Sequence, residues 1–273
     1  MVDPTEFTFH LSYGLAIGVA GGTIGGLLAG IAGLGGGLIY LPLFIATLPH
    51  LSEQGVGVAV IASLGGVFLT GLFSSRAHWK LGHVEKSSLL RLAPGLMLGA
   101  TLGLMLTLKL PGHWILFGMA LLDLWIVRDL SRTHGEKSEG ESQLPWSQAP
   151  LSLPIGFLSG GLGIGGGTML VPLLRRSLSL RQAVGTAAAC GFLMSGAAVV
   201  VNLFAVDGWG DALEGNLAFT ISAWLGILTA IPLASYWAAE LHKKHTEASM
   251  RRLMQLLFAL LGVTLLLMGL NRL

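Results

Sequence analysis

Two glycine runs hold the most chemically suggestive residues of the chain. Gly33-Leu34-Gly35-Gly36-Gly37 leads to Pro42-Leu43, and Gly163-Ile164-Gly165-Gly166-Gly167 leads to Pro172-Leu173, with each matched glycine and the proline 130 positions apart. Each triplet, Gly35, Gly36, Gly37 and Gly165, Gly166, Gly167, precedes a short apolar segment. A helix starting there presents free N–H groups and the positive end of its dipole with no side chain in the way, which makes an anion site. Consecutive glycines destabilise a helix by about 1 kcal/mol each relative to alanine. Close packing needs only one per turn, so the triplets read as solute-facing tips.

Polar side chains placed to assist are few. The hydroxyls of Ser63, Thr168 and Thr186 are candidate donors to an oxyanion, with a bond to their own helix as the plainer role. Asn202 has an amide for a solute or a neighbouring helix. His78, beside Trp79 at the end of its segment, has the chemistry of a gate or proton sensor because imidazole titrates near neutral pH. An interfacial side chain is its plainer role. Asp123 is the acidic residue nearest the core and the candidate for coupling.

Enzyme chemistry finds little support. His10, His50, His78, His83, His113, His134, His242 and His245 fall in segment ends and loops, and no HExxH or GxSxG pattern occurs. The glycine runs lack the last glycine of a dinucleotide fingerprint and the Lys-Ser/Thr of a phosphate loop. No cofactor, metal or nucleic acid is expected.

The elements that must position these residues are membrane helices. The chain is 53% hydrophobic and 11% charged, with a mean hydropathy of +0.74, against roughly 25% charge in a soluble domain. No Asp, Glu, Lys or Arg occurs between Phe7 and Ser52. Apolar tracts of about 17 to 25 residues recur to the end, each long enough to cross a bilayer. They are continuous rather than alternating, which selects helices over a barrel. No basic run precedes the first tract, so a cleaved leader is not expected. Cys190 has no second cysteine to pair with.

Helical segments are predicted near Leu11 to Ala32, Leu38 to Leu48, Val56 to Ser75, Ser88 to Leu108, Trp114 to Val127, Leu151 to Leu162, Met169 to Leu174, Ala183 to Val206, Asn216 to Ala239 and Leu253 to Leu270. Residues 128–150 are polar and mixed in charge and read as a cytoplasmic linker between a first repeat, 1–127, and a second, 151–273. Gly14, Gly18, Gly22, Gly26 and Gly30 form a stripe for close helix packing, as do Gly95, Gly99 and Gly103, and Gly226, Ala230, Ala234 and Ala238.

Basic residues collect in four connections: Arg76 to Arg91, Arg128 to Lys137, Arg175 to Arg181 and Lys243 to Arg252. These face the cytoplasm by the positive-inside rule, which leaves the N-terminus outside. The assignment closes if each glycine-broken stretch is a hairpin followed by three crossings. The expected fold is therefore an all-α polytopic membrane protein of two inverted repeats. The arm Leu151 to Leu162 reaches about 18 Å and stops near mid-membrane. The arm from Leu11 is longer and leaves a re-entrant hairpin and two full crossings both open.

The chain resembles the sulfite exporter TauE/SafE family of membrane permeases. The paired Gly-x-Gly-Gly-Gly stretches followed by proline, the Ala77-His78…Gly82 run, the Pro94-Gly95…Gly99…Gly103 crossing and the Val184-Gly185-Thr186 start of a segment carry the likeness over almost the whole chain. The second copy departs from the first: Val206 stands in the place of His78, and Asn202 in that of Ser74. The resemblance implies export of small sulfur-containing anions, sulfite or short organosulfonates, across the cytoplasmic membrane. Alternating access around the two tips is the mechanism that the inverted duplication and the charge-free core suggest. An anion channel and a transporter of another small organic anion are the alternatives. The partners expected are the anion, the lipid bilayer and, from the prevalence of two-fold oligomers, a second copy of the chain.

Overall fold

A computed structural model describes residues 4–32, 36–48, 56–131, 145–205, 216–244 and 247–271. Every regular element in them is helical: α1 Pro4–Ala32, α2 Gly37–Thr47, α3 Val56–Lys80, α4 Lys86–Thr107, α5 Gly112–Ser131, α6 Ser152–Gly161, α7 Gly167–Leu174, α8 Leu180–Ala205, α9 Leu217–Lys244 and α10 Glu247–Leu270. A 3₁₀ helix, Trp146–Leu151, precedes α6. Stretches 8–28, 56–80, 86–107, 181–201 and 217–234 are long and apolar enough to cross a membrane. Large apolar side chains point outward all round, among them Leu90, Leu98, Leu121, Leu225, Leu256 and Leu260. Water would penalise such a surface, and lipid tails would not.

Several elements differ from the expected pattern: α3, α5 and α9 end later, at Lys80, Ser131 and Lys244, so that α5 runs into the stretch read as linker. Helix α1 starts at Pro4 rather than Leu11, since proline suits a first helical turn where its missing N–H has no partner to lose. Helix α10 starts at Glu247 rather than Leu253. The end of the linker is ordered: Pro145 and Pro150 hold the backbone near helical φ, Gln148 N–H bonds Pro145 O at 3.0 Å, and Ser152 Oγ bonds Ala149 O at 2.7 Å.

Four helix pairs that join the two sequence halves are α1 with α9, α4 with α6, α3 with α8, and α5 with α10, and α4 also packs along α8. Glycine stripes make the first two pairs. Gly14, Gly18, Gly22 and Gly26 lie along α9 at Phe219, Ala223, Ile227 and Ala234 in turn, so α1 and α9 run parallel. Gly95, Gly99 and Gly103 meet Ser152, Leu153 and Phe157, so α4 and α6 are parallel too. Backbones touch along both seams, and there is no room for a side chain between them.

The other two pairs run antiparallel. On α3 and α8, Phe68 stacks on Phe192 with ring centroids 5.0 Å apart, while Gly71 lies against Phe192 and Phe68 against Gly196. On α5 and α10, Ser131 Oγ accepts from Gln255 Nε2 at 3.0 Å near one end, and Phe117 meets Gly269 near the other. Helix α2 folds back along α1, with Leu43 at Gly21 and Tyr40 at Gly25.

Lengths separate spanning from half-spanning elements. Helix α1 has 29 residues, about 44 Å at 1.5 Å per residue, and can cross the ~30 Å hydrocarbon core. Helices α2, α6 and α7 have 11, 10 and 8 residues, about 17, 15 and 12 Å, and cannot. One such short helix, α2, therefore lies in the first part of the chain and two, α6 and α7, in the second. Among the described residues Tyr40, Phe44, Phe219 and Phe258 are the largest fully buried side chains.

Candidate functional site

The two glycine tips touch. Gly36 is the N-cap of α2 and Gly166 the N-cap of α7, and neither first turn is closed by a side-chain hydrogen bond. A Cβ on Gly37 would lie 2.7 Å from Ile164 Cα and 2.8 Å from Gly165 N, so only glycine permits this approach. Gly163 turns the second tip with φ of +66°, a left-handed conformation that glycine adopts without strain. Ser63 fastens the junction from α3. Its Oγ donates to Gly163 O at 2.6 Å and lies 3.5 Å from Gly37 O.

A cavity opens beside the junction with about 30 Å³ of room for the centres of water-sized molecules. Gly36 lines one side and Gly165, Gly166 and Gly167 the other. Helix α3 contributes Val67, Thr70, Gly71 and Ser74, and α8 contributes Val184, Ala187, Ala188 and Gly191. None of these carries a charge. A small polar solute there would meet backbone amides, two hydroxyls and aliphatic carbon.

Thr70 is held from behind. Its Oγ1 donates to Gly66 O at 2.8 Å and lies 2.8 Å from the Tyr40 hydroxyl. The Tyr40 ring is fully buried against Gly25, Gly36 and Gly66. Tyr40, Thr70 and the cavity glycines Gly71 and Gly191 were not among the residues singled out from the sequence. A lone tyrosine in an apolar helix looks like core, and its threonine lies thirty residues on. The correspondence of Ser74 with Asn202 was the one sequence signal touching this wall.

The remaining sequence candidates are dispersed. Gly35 lies outside the described residues, as does the side chain of Asn202 in α8. Thr168 is buried beside the second tip, with its Oγ1 donating to Gly165 O at 3.2 Å. Thr186 is buried at the start of α8, where its Oγ1 accepts from Glu85 N at 2.9 Å. His78 stands one helical turn past Ser74, its Nδ1 3.4 Å from His83 Nδ1. Asp123 is fully buried between α5 and α10, away from the tips.

The loop near this histidine pair is anchored by Glu85, the N-cap of α4. Its carboxylate accepts from Ser87 N at 3.0 Å and Ser88 N at 2.5 Å. Burial pushes this carboxyl up, but the bonds from Ser88 and Ser87 and the nearby Arg91 outweigh that and hold it below its ordinary range. Gly185 of α8 packs on His83, so the connection is seated on the second half.

A family model described as sulfite exporter TauE/SafE matches residues 18–265. The chain is 30% identical over 210 residues to a "Probable membrane transporter protein" of Haemophilus influenzae, covering 71% of this chain and 76% of that one. It is 26% identical over 267 residues to the "Probable membrane transporter protein YunE" of Bacillus subtilis, covering 88% and 92%. No solved structure matches. With the match spanning nearly all the helices, the chain belongs to the sulfite exporter TauE/SafE family and is a multi-pass membrane transport protein.

Proposed function

We propose that this protein exports small sulfur-containing anions, sulfite or short organosulfonates, across the cytoplasmic membrane by alternating access around the two glycine tips. The observation that carries this reading is the cavity at the tip junction. It joins the starts of two helices from the two halves and has no ionised side chain in its wall. Helix dipoles and amides attract an anion by partial charges, whereas a buried Lys or Arg would be costly and would slow release.

The proposed frame is two inverted repeats, 1–127 and 151–273, joined by a cytoplasmic linker, with the N-terminus outside. Helix directions support it. Inversion makes α1 parallel to α9 and α4 to α6, and makes α3 antiparallel to α8 and α5 to α10, as the side-chain register has them. An anion leaving a cell that is negative inside gains about 2.3 kcal/mol per charge per 100 mV.

Counterflow in proteoliposomes with sulfite, sulfate, sulfoacetate, taurine and carboxylates tests the reading. Saturable exchange of sulfite or a sulfonate is expected, with loss in Gly36→Val and Gly166→Val proteins that still melt cooperatively. Exchange confined to carboxylates overturns the substrate, and unitary currents at fixed voltage overturn alternating access in favour of a channel.

A further inference from the structure

One acidic side chain lies in the apolar interior and is used by nothing described above. Asp123 is 0% exposed, and neither of its carboxyl oxygens has a hydrogen-bond partner. It lies on α5 eight residues before Ser131, about 12 Å from that end of the helix. Facing it is Gly262 of α10, where an added Cβ would stand 3.2 Å from Asp123 Cβ. Outward from the same helix point Leu121 and Leu124.

Among the described residues no charge compensates this carboxyl. Helix α10 has no ionisable residue from Gln255 to Leu270. On α5 the nearest are Arg128 and Asp129, more than a turn on, and His113, ten residues back. Helix α3, which also touches α5, has none before Arg76 in its last turns. An uncompensated carboxylate in such surroundings costs several kcal/mol or more. A hard metal cation would need about six oxygen ligands, and among the described residues Asp123 has no hydrogen-bonding neighbour. The ligand that answers one isolated carboxylate is a proton.

We propose that Asp123 is a proton-binding site, its carboxyl taking one proton from water when α5 and α10 part at Gly262 and losing it when the pair opens again. At Gly262 it is backbone rather than a side chain of α10 that lies over the carboxyl, and Ala120 O and Leu124 Cγ would also stand within 3.6 Å of a Cβ added there. That this proton is coupled to anion movement rests on the transport reading above. Proton binding itself does not.

The full-length protein in lipid nanodiscs, titrated by infrared difference spectroscopy, tests the site. The wild type should show the C=O stretch of a protonated carboxyl at neutral pH that fades on alkalinisation, and Asp123→Asn should lack that band. Identical band sets in the two proteins overturn the site. Asp123→Ala, which removes the carboxyl without adding bulk, serves if the Asn variant does not fold. Coupling is read in sulfoacetate efflux from proteoliposomes. Wild-type rates should change with pH toward the limit for one proton, about tenfold per pH unit, while Asp123→Asn exchanges sulfoacetate at a rate flat in pH. Wild-type pH dependence kept in Asp123→Asn overturns coupling. A wild type that moves no sulfoacetate removes the transport reading for that anion, and the infrared titration still decides the proton site.

Discussion

The Tyr40 hydroxyl donates to Thr70 Oγ1 across 2.8 Å, because the one proton of Thr70 is already committed to Gly66 O. A side chain packed beneath the first glycine tip thereby fixes a hydroxyl in the cavity wall. Tyr40→Phe keeps the ring and removes only this bond. The expected stability loss is about 1 kcal/mol, read by thermal unfolding in detergent, with the half-saturation concentration for anion counterflow rising several-fold. Unchanged half-saturation would separate Thr70 from solute binding.

Gly191 and Gly37 should respond differently to alanine. A Cβ on Gly191 would lie 3.5 Å from Gly166 N, in ordinary contact, and would add a methyl beside the second tip. Gly191→Ala should fold at least as stably, with up to about 1 kcal/mol gained from helix propensity, and transport should fall. Gly37→Ala drives a methyl into Ile164 and Gly165 and should lower both stability and transport. Equal transport loss per degree of lost melting temperature in both variants would assign the effect to folding alone.

The junction should weaken when its fastener is cut. Ser63→Ala leaves Gly163 O without the 2.6 Å bond that ties the second tip to α3. A loss of about 1–3 kcal/mol is expected for a buried acceptor left unsatisfied. Gly163→Ala should cost a further ~1–2 kcal/mol for the left-handed backbone. Melting of the single and double variants measures whether the two losses add.

Acid should loosen the start of α4. The Glu85 carboxyl is held below its ordinary range in the folded protein, so its stabilisation is present at neutral pH and down to the unfolded value of 4.5, and is lost as pH falls through the lower folded value. Glu85→Ala should lose about 1 kcal/mol at pH 7 and show less further loss on acidification. Unfolding midpoints of the two proteins from pH 7 to pH 3 should converge. Parallel curves would show that the capping carboxylate contributes nothing.

The glycine runs, the long apolar helices and the four-residue stripes were legible because each is local: spacing along one segment decides it. The partners of those stripes were not. Gly14 to Gly26 could have met any small-faced helix, and only the assembled fold places α9 there and α4 along α6. Tyr40 and Thr70 escaped for a related reason, since a hydrogen bond across two helices leaves no periodic trace in either. Thr186 shows the converse. Its type is read from the sequence alone, whereas the bond its hydroxyl accepts from the Glu85 amide joins two helices that sequence spacing does not tie together.

The seam between α1 and α9 also bears on the order in which the chain is made. The glycine face of α1 is synthesised about 200 residues before the helix that covers it, which at 5–20 residues per second is a wait of roughly 10 to 40 s. During that interval α1 lies in the bilayer with its stripe open to lipid or to a neighbouring chain. Assembly is therefore governed by the last helices to emerge, and a chain stopped at the linker would leave a seam of α1 without the surface it was shaped to meet.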